Sequence, residues 1–289
     1  MDYPATYVAA DTAAQNLQKK YLTLKFVEYA AVVAAAVAAG LAPLLGSWVY
    51  FIAAVSLIVG LITLFADRHQ GYSEGWYRTR ALAEATKAET WKFCCAYGTY
   101  GSGTNLIAAE RSFVDTLRKI QLAVKAERYV TPFRDQQKQE VTEIMRNSWH
   151  DPLPKRKERY INDRISYEAD WYSGRARKWL RAKNLFFWVV ICLIIFGVVM
   201  GFVQVWHSLN GYSFVETIAA LSASLVGWSQ LRRYESLVSI YSNSAEELGF
   251  LKNDAMHVNS QESLDAIVTD VELVISKEHT VWVHKGLIL

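Results

Sequence analysis

The chain has 289 residues, of which 52% are hydrophobic and ten are tryptophan, a composition that excludes an intrinsically disordered tail protein. Its formal net charge of +3 is small, and its basic residues lie beside apolar segments instead of forming an extended stripe. Nucleic-acid binding is therefore not expected. The length allows one large domain or two modest ones.

The apolar residues collect in four blocks, at residues 29–45, 48–66, 185–206 and 212–228. The second and third blocks carry no charge and have about the 20 residues that a helix needs to cross a bilayer. The first block is alanine-rich and short, and the fourth contains Glu216 and several hydroxyls. Because a very short turn joins each weaker block to a strong one, we predict two membrane hairpins, with the fourth helix reaching about residue 231.

The turns between paired blocks, Gly46-Ser47 and His207 to Gly211, contain no lysine or arginine. The opposite ends of the blocks carry Lys19, Lys20, Lys25, Arg68, Arg78, Arg80, Arg175, Arg177, Lys178, Arg181, Lys183, Arg232 and Arg233. The positive-inside rule then predicts an inner-membrane protein with both termini and the central region in the cytoplasm.

The alternative is a soluble helical protein with two buried apolar hairpins, but buried helices are rarely charge-free over about 20 residues. No cleavable signal pattern is recognised, because Met1 to Phe26 is polar.

A charged helix follows the second block. We predict it over Trp76 to Tyr97, either as a continuation of the membrane helix or as a new helix after a kink at Gly71 to Gly75. Helical spacing places one set of residues on a single face, here called the ionic stripe: Trp76, Arg80, Glu84, Lys87 and Trp91. The stripe is either a solvated face with weak ion pairs or a surface where cytoplasmic helices of the two halves, or of two subunits, dock.

Short motifs recur along the chain in the same order. An aromatic-Leu-x-x-Lys pattern stands at Tyr21 to Lys25 and again at Trp179 to Lys183. Ala83-Glu84 followed by Glu110 has its counterpart in Ala245-Glu246 followed by Glu272, at the same separation. We therefore predict two related units, at residues 1–130 and 160–289, in which Glu246 and Glu272 are the second-unit counterparts.

Residues 131–159 are predicted to be a linker, because the segment contains prolines and a basic run from Asp151 to Arg159. We interpret the region between Tyr129 and Tyr160 as a loop. Its basic run either binds anionic lipid head groups or only enforces the membrane topology.

The fourth block contains the candidate pore-lining residues Glu216, Thr217 and Ser224. Thr217 and Ser224 are seven residues apart and share a helix face, and a ring of Glu216 carboxylates at the outer mouth of an oligomer would favour cations. The alternative is that Glu216 only reaches head-group water and that the small residues of blocks one and four let helices pack closely.

An enzyme is not expected. The six histidines are scattered without metal-ligand spacing, and Tyr97 to Gly103 follows a helix, which favours a connector over a phosphate-binding loop. His279 fits an ordinary C-terminal helix, Glu262 to His284. Cys94, Cys95 and Cys192 are expected to be reduced, structural thiols, because no basic residue stands out as an activating neighbour. We predict no catalytic residue, no metal site and no cofactor.

Three segments resemble the SLATT family. They are Ala10 to Tyr21, Gly75 to Trp91, and Tyr160 to Ala176. The family comprises bacterial proteins with two-helix membrane hairpins, named for their association with nucleotide-synthase and nucleotide-sensor systems. The resemblance covers nearly the whole chain as two tandem units of different subtypes.

The resemblance implies an effector of a prokaryotic conflict or defence system that oligomerises and perforates or depolarises the inner membrane. With no sensor domain here, the trigger would come from a cytoplasmic sensor protein or a nucleotide messenger. We therefore expect an all-α membrane protein with four transmembrane helices as two hairpins, a cytoplasmic helical bundle, and homo-oligomeric assembly. The second interpretation is a membrane-anchored scaffold or receptor whose cytoplasmic helices bind a partner.

Overall fold

The computed structural model describes residues 1–101, 103–206 and 214–286, and in this part of the chain every regular element is helical. The α-helices are α1 Ala5–Leu45, α2 Val49–Gln70, α3 Tyr72–Cys94, α4 Leu106–Val124, α5 Glu127–Val130, α6 Glu143–His150, α7 Leu153–Arg159, α8 Tyr167–Trp206, α9 Phe214–Arg232, α10 Tyr234–Met256 and α11 Gln261–Gly286. A π-helical segment, Tyr160–Ser166, joins α7 to α8 without interruption. Short 3-10 turns lie at Gly98–Tyr100 and Thr131–Phe133.

Three helices in the described part of the chain are long and apolar enough to cross a membrane: Ala5–Pro43, Val49–Gln70 and Leu153–Trp206. They cover nearly all of the first two predicted apolar blocks and the whole of the third. The fourth block corresponds to α9, which is not among these three helices. The predicted turn at His207 to Gly211 lies outside the described residues, as does Tyr212 at the start of the fourth block.

The helix after the second block is a separate element. α2 ends at Gly71, whose left-handed backbone (φ 62°) turns the chain, and α3 begins at the next residue. Of the two alternatives for this region, the kink is therefore the one observed. In the second half, Arg233 (φ 50°) lies between α9 and α10 in the same way. Gly71 and Arg233 precede Glu84 and Glu246 by the same number of residues, in agreement with the proposed repeat.

The predicted loop between Tyr129 and Tyr160 is largely helical, which corrects the expectation from sequence. α6 begins at the cap of Thr142, whose hydroxyl accepts a hydrogen bond from the Met145 amide. Pro152 precedes α7, and prolines suit the first positions of a helix because the amides there need no intrahelical partner. The prolines that suggested a loop therefore mark the start of a helix.

The described chain divides into two compact units. The polar unit consists of Met1–Gln18, Ser73–Arg175 and Ile240–Leu289, and the apolar unit consists of Lys19–Tyr72 and Ala176–Ser239. In the polar unit, an aromatic core forms between α3 and α4, where Phe93 contacts Phe113 with ring centroids 5.2 Å apart. A second cluster packs Ala9 and Ala10 of α1 against Leu82 and Ala83 of α3.

In the apolar unit, small residues form the helix contacts. α1 packs on α2 through Ala35, Ala38 and Ala42, which are buried together with Val49 and Ala53. α8 packs on α9 where Gly197 lies against Ile218. A Cβ added at Gly197 would lie only 3.1 Å from the Ile218 side chain. Gly227 of α9 meets the Tyr29 ring of α1 at a similar distance. Close approach through small residues is typical of helices that associate in lipid.

The lysine of the recurring aromatic-Leu-x-x-Lys pattern forms an ion pair in both hairpins. Lys25 Nζ lies 3.3 Å from the Asp67 carboxylate of α2 and 3.0 Å from Glu28, and the Lys25 and Asp67 side chains are each 15% exposed. In the second hairpin, Lys183 Nζ lies 3.0 Å from Glu235, which is 85% exposed. The sequence repeat thus corresponds to an ion pair at the end of each hairpin opposite the turn, shielded in the first and solvated in the second.

Lys25→Met is expected to lower the free energy of unfolding by about 2 kcal/mol. The substitution removes the cation beside Asp67, whose Oδ1 is already buried without a hydrogen-bond partner among the described residues. Lys183→Met, the matched change in the solvated pair, should alter stability by less than about 0.5 kcal/mol. Thermal unfolding of the purified full-length protein in detergent measures both variants, and equal losses would contradict this difference between the hairpins.

Candidate functional site

The π-helical segment carries a fully buried arginine. Tyr160–Ser166 is wound more widely than the α-helices on either side, and such segments are rare and occur often at functional sites. Tyr160, Arg164 and Glu168 follow one another at four-residue spacing through the segment and into α8. Arg164 is 1% exposed and Tyr160 is 0% exposed, so the segment directs both side chains into the core of the polar unit.

Two carboxylates neutralise Arg164. Its Nε and Nη2 atoms donate to the two oxygens of Glu272 on α11, at 2.9 Å and 2.6 Å, which is a bidentate contact. Its Nη1 donates to Glu168 at 2.7 Å. Both glutamates are buried, at 6% and 5% exposed, and Tyr160 donates its hydroxyl proton to Glu272 at 3.1 Å. An ion pair this far from water requires such complete hydrogen bonding, because an unpaired buried charge is costly.

Two residues of the predicted ionic stripe join this network from α3. Lys87 Nζ donates to the same Glu168 oxygen at 2.5 Å. Trp91 is 1% exposed and packs edge-on against the Tyr160 ring, with the ring centroids 5.8 Å apart. The Trp91 indole donates to the Tyr3 hydroxyl at 3.3 Å, which adds the N-terminus of the chain to the cluster. We call Tyr3, Lys87, Trp91, Tyr160, Arg164, Glu168 and Glu272 the buried ionic network.

The network holds two cations and two carboxylates and is therefore balanced in charge. Burial lowers the pKa of Arg164, but the adjacent Glu272 and Glu168 carboxylates raise it by more than burial lowers it. The pKa therefore lies well above the ordinary value, and the guanidinium stays charged. Burial and the neighbouring Glu272 carboxylate hold the pKa of Tyr160 well above its usual range. Burial raises the pKa of Tyr3 to about 12. Both phenols therefore remain protonated hydrogen-bond donors at physiological pH.

The rest of the ionic stripe, Trp76, Arg80 and Glu84, lies nearer the start of α3. Arg80 contacts Glu84 at 2.5 Å and Asp11 of α1 at 3.5 Å, so this part of the stripe also faces another helix. Trp76 stacks on Tyr77, with ring centroids 5.0 Å apart. The interpretation of the stripe as a solvated face with weak ion pairs does not hold for Lys87, Trp91 or Glu84, because these side chains are largely or fully buried. Within the chain, the stripe is a contact surface for other helices.

The two second-unit counterparts have different environments. Glu272 is a central member of the buried ionic network, whereas Glu246 is exposed on α10. Glu110, which the repeat matches to Glu272, forms an ion pair with Arg146 at 2.6 Å. Tyr3, Tyr160, Arg164 and Glu168 were not predicted from the sequence as site residues. The spacing of Tyr160, Arg164 and Glu168 was a usable signal, since it places an aromatic, a cation and a carboxylate on one face.

The pore-lining candidates lie on α9. Glu216 is exposed, and Thr217 and Ser224 are partly buried, while Ile218 and Ser222 form the buried side of the helix. Among the described residues, no group of three or more histidine, cysteine, aspartate or glutamate side chains could hold a metal ion. Burial raises the pKa of the Cys94 thiol to about 12 and that of Cys95 well above its usual range, so neither thiol is a ready nucleophile.

Family models match nearly all of the chain. Residues 4–157 match SMODS and SLOG-associating 2TM effector domain 3, a match that covers more than half of the chain. The chain belongs to the SLATT family. Residues 160–282 match SMODS and SLOG-associating 2TM effector domain 1, so that two SLATT domains of different type stand in tandem. Neither a curated protein nor a solved structure matches the chain.

The boundary between the two SLATT matches falls at the start of the π-helical segment. The buried ionic network therefore draws on both domains. Tyr3, Lys87 and Trp91 belong to the first SLATT domain, and Tyr160, Arg164, Glu168 and Glu272 belong to the second. The Lys87 to Glu168 ion pair and the Trp91 to Tyr160 ring contact are direct links between the two domains.

Replacing Arg164 tests the energetic weight of the network. Arg164→Met is expected to destabilise the protein by about 3–5 kcal/mol, because Glu272 is left charged and buried without a cation. The double variant Arg164→Met/Glu272→Met should recover most of that loss, since it removes both charges and leaves the Lys87 to Glu168 pair in place. Intrinsic tryptophan fluorescence during thermal unfolding measures both, with the exposed Glu246→Met as control. A double variant that is less stable than Arg164→Met alone would contradict the interpretation.

Proposed function

We propose that the protein is an oligomeric membrane-permeabilising effector of a prokaryotic conflict or defence system. Membership of a family of 2TM effector domains supports this proposal, and the observation that carries it is the apolar outer surface of the long helices. Phe51 and Phe65 of α2 are 73% and 65% exposed, and Phe202 of α8 is 74% exposed. Contiguous large apolar side chains facing outward suit a helix surrounded by lipid.

The proposed topology has four spans. α9 is the fourth span, and it reaches the bilayer as the partner of α8 in the second hairpin. In this proposal the protein resides in the inner membrane, and the basic flanks of the hairpins support a topology with the polar helices and both termini on the cytoplasmic side. In this arrangement both SLATT domains contribute one hairpin to the membrane and their remaining helices to a shared bundle.

The proposed pore wall is α9. Its buried side, with Ile218 and Ser222, packs within the chain, whereas Glu216 is exposed and available to a neighbouring copy or to an aqueous path. Several copies arranged with Glu216 near the outer mouth would form a ring of carboxylates that favours cations. In this proposal a cytoplasmic sensor protein or a nucleotide messenger supplies the trigger.

In the scaffold alternative, a partner protein would bind to the ionic stripe from outside the chain. Lys87 and Trp91 contact residues of the same chain and are largely or fully buried. A partner could reach them only by displacing the buried ionic network. The burial of these side chains therefore favours the effector proposal over a scaffold that docks through the stripe.

Reconstitution of the full-length protein in a planar bilayer tests the proposal. We expect discrete conductance steps with a preference for cations, either constitutively or after addition of candidate nucleotide messengers. Glu216→Lys should reduce the preference for cations, because it reverses the charge at the proposed mouth. Glu246→Lys makes the same charge change at an exposed site of the polar unit and should leave selectivity unchanged.

A silent bilayer, obtained with protein that is demonstrably folded and inserted in every messenger condition, would contradict pore formation. Conductance with unaltered selectivity in Glu216→Lys would support a pore but exclude α9 from its mouth.

A further inference from the structure

The apolar unit contains an arginine whose guanidinium lies over two tryptophan rings, and we call Arg232, Trp179 and Trp228 the clamp. Arg232 is the last residue of α9, and its guanidinium carbon lies 5.1 Å from the Trp179 ring of α8 and 5.9 Å from the Trp228 ring of α9. Such contacts with aromatic rings hold the guanidinium in place and do not occupy its N–H donors with an acceptor. The side chain is therefore oriented by the protein before any ligand arrives.

The aromatic surroundings make this arrangement rigid. Trp179 packs on Tyr234 at 5.4 Å between ring centroids, and Trp228 packs edge-on against Tyr29 of α1 at 5.9 Å. The clamp therefore rests on contacts from α1, α8, α9 and the start of α10. Because each ring has a second aromatic neighbour, neither tryptophan is free to leave the guanidinium without disturbing the packing of the unit.

Arg232 makes no hydrogen bond or ion pair with any of the described residues. Its Nε atom is shielded from solvent and has no acceptor in this part of the chain, and the same is true of the Trp179 indole nitrogen. Both groups are hydrogen-bond donors only, so the missing partner is an acceptor. A buried donor without a partner is costly, and two such donors beside one another in the clamp indicate a place for an acceptor-rich group.

Nearby acidic side chains do not serve this purpose, because they already have cationic partners. Glu235 pairs with Lys183, and Asp67 and Glu28 pair with Lys25. Around Trp179, the exposed Arg177, Lys178 and Arg181 of α8 add positive charge. The local field therefore favours an anion that comes from outside the chain.

We propose that Arg232, in contact with the Trp179 and Trp228 rings, is a binding site for the phosphate group of an anionic phospholipid. Tetrahedral phosphate oxygens match the fork of donors on a guanidinium, and arginine is the preferred residue for such bidentate contacts. Trp228 ends the fourth apolar block, and tryptophan and arginine at the ends of apolar helices lie at the level of lipid head groups. A free phosphate anion would offer the same chemistry. The site does not depend on pore formation.

Fluorine NMR of the full-length protein labelled with 5-fluorotryptophan tests the site in a neutral detergent. The Trp179 and Trp228 signals are assigned with the Trp179→Phe and Trp228→Phe variants. Short-chain phosphatidylglycerol, short-chain phosphatidylcholine and inorganic phosphate are then titrated separately. We expect phosphatidylglycerol to shift both signals in a saturable way and phosphatidylcholine to do so far more weakly, because its choline group neutralises the phosphate charge.

Arg232→Lys keeps the charge but loses the planar fork, and it should weaken phosphatidylglycerol binding roughly tenfold. The matched control is Arg181→Lys, the same substitution at an exposed arginine of α8, which should leave binding within about twofold. The dispersion of the remaining tryptophan signals shows whether each variant is folded. If Arg232→Lys does not fold, the comparison of the two lipids with the unsubstituted chain still decides the question.

Saturable shifts with inorganic phosphate would confirm a phosphate site and identify a soluble anion as a further source of ligand. Shifts with phosphatidylglycerol alone would confirm the lipid as the source. The proposal is overturned if neither probe moves the two signals, if both lipids move them equally, or if Arg181→Lys weakens binding as much as Arg232→Lys.

Discussion

The arrangement of the polar unit depends on how a buried guanidinium is neutralised. Arg164 is removed from water in the core of the polar unit, and Glu272 on α11 and Glu168 on α8 compensate its charge. Glu168 in turn accepts from Lys87 of α3, so three helices must be in place before all the charges are paired. A buried pair adds little stability compared with an apolar core, but breaking it is costly, and such groups can specify one arrangement among several. Here that arrangement joins two SLATT domains of different type.

The apolar unit is assembled by different forces. Lipid removes most of the hydrophobic drive for helix association, so contacts depend on close packing and on the few polar interactions at the helix ends. Ala38, Gly197 and Gly227 allow that packing, and the Lys25 to Asp67 pair closes the first hairpin. At the same end of the second hairpin, the described residues form a solvated ion pair and the Arg232 clamp. The two SLATT hairpins are therefore similar in pattern but different in how their ends are held.

Sequence reasoning predicted the elements whose signals are local. Charge-free blocks identified the long apolar helices, the helix over Trp76 to Tyr97 is observed as α3 beginning at Tyr72, and Gly71 marks the break before it. The C-terminal helix predicted over Glu262 to His284 is observed as α11, Gln261–Gly286. These features follow from composition and spacing within a single helix, which a sequence displays directly.

The network escaped prediction because its members are distant in the sequence. Lys87 and Glu168 belong to different domains, and Arg164 meets Glu272 more than a hundred residues later, so no local pattern pairs them. Prolines and a dense basic run made residues 131–159 resemble a loop, although tertiary contacts hold much of the segment as helix. Trp149, for example, donates to the Tyr100 carbonyl at 2.7 Å. Ion pairs between helices and helices stabilised by tertiary contacts both require knowledge of the assembled fold.

The most direct test of the link between the two SLATT domains is a double-mutant cycle on Lys87 and Glu168. The free energy of unfolding would be measured for the unsubstituted chain, Lys87→Met, Glu168→Gln and the double variant under one detergent condition. We expect a coupling energy of about 1–2 kcal/mol, because the two side chains share a buried hydrogen bond. Additivity within about 0.3 kcal/mol would show that the domains are not joined through this pair.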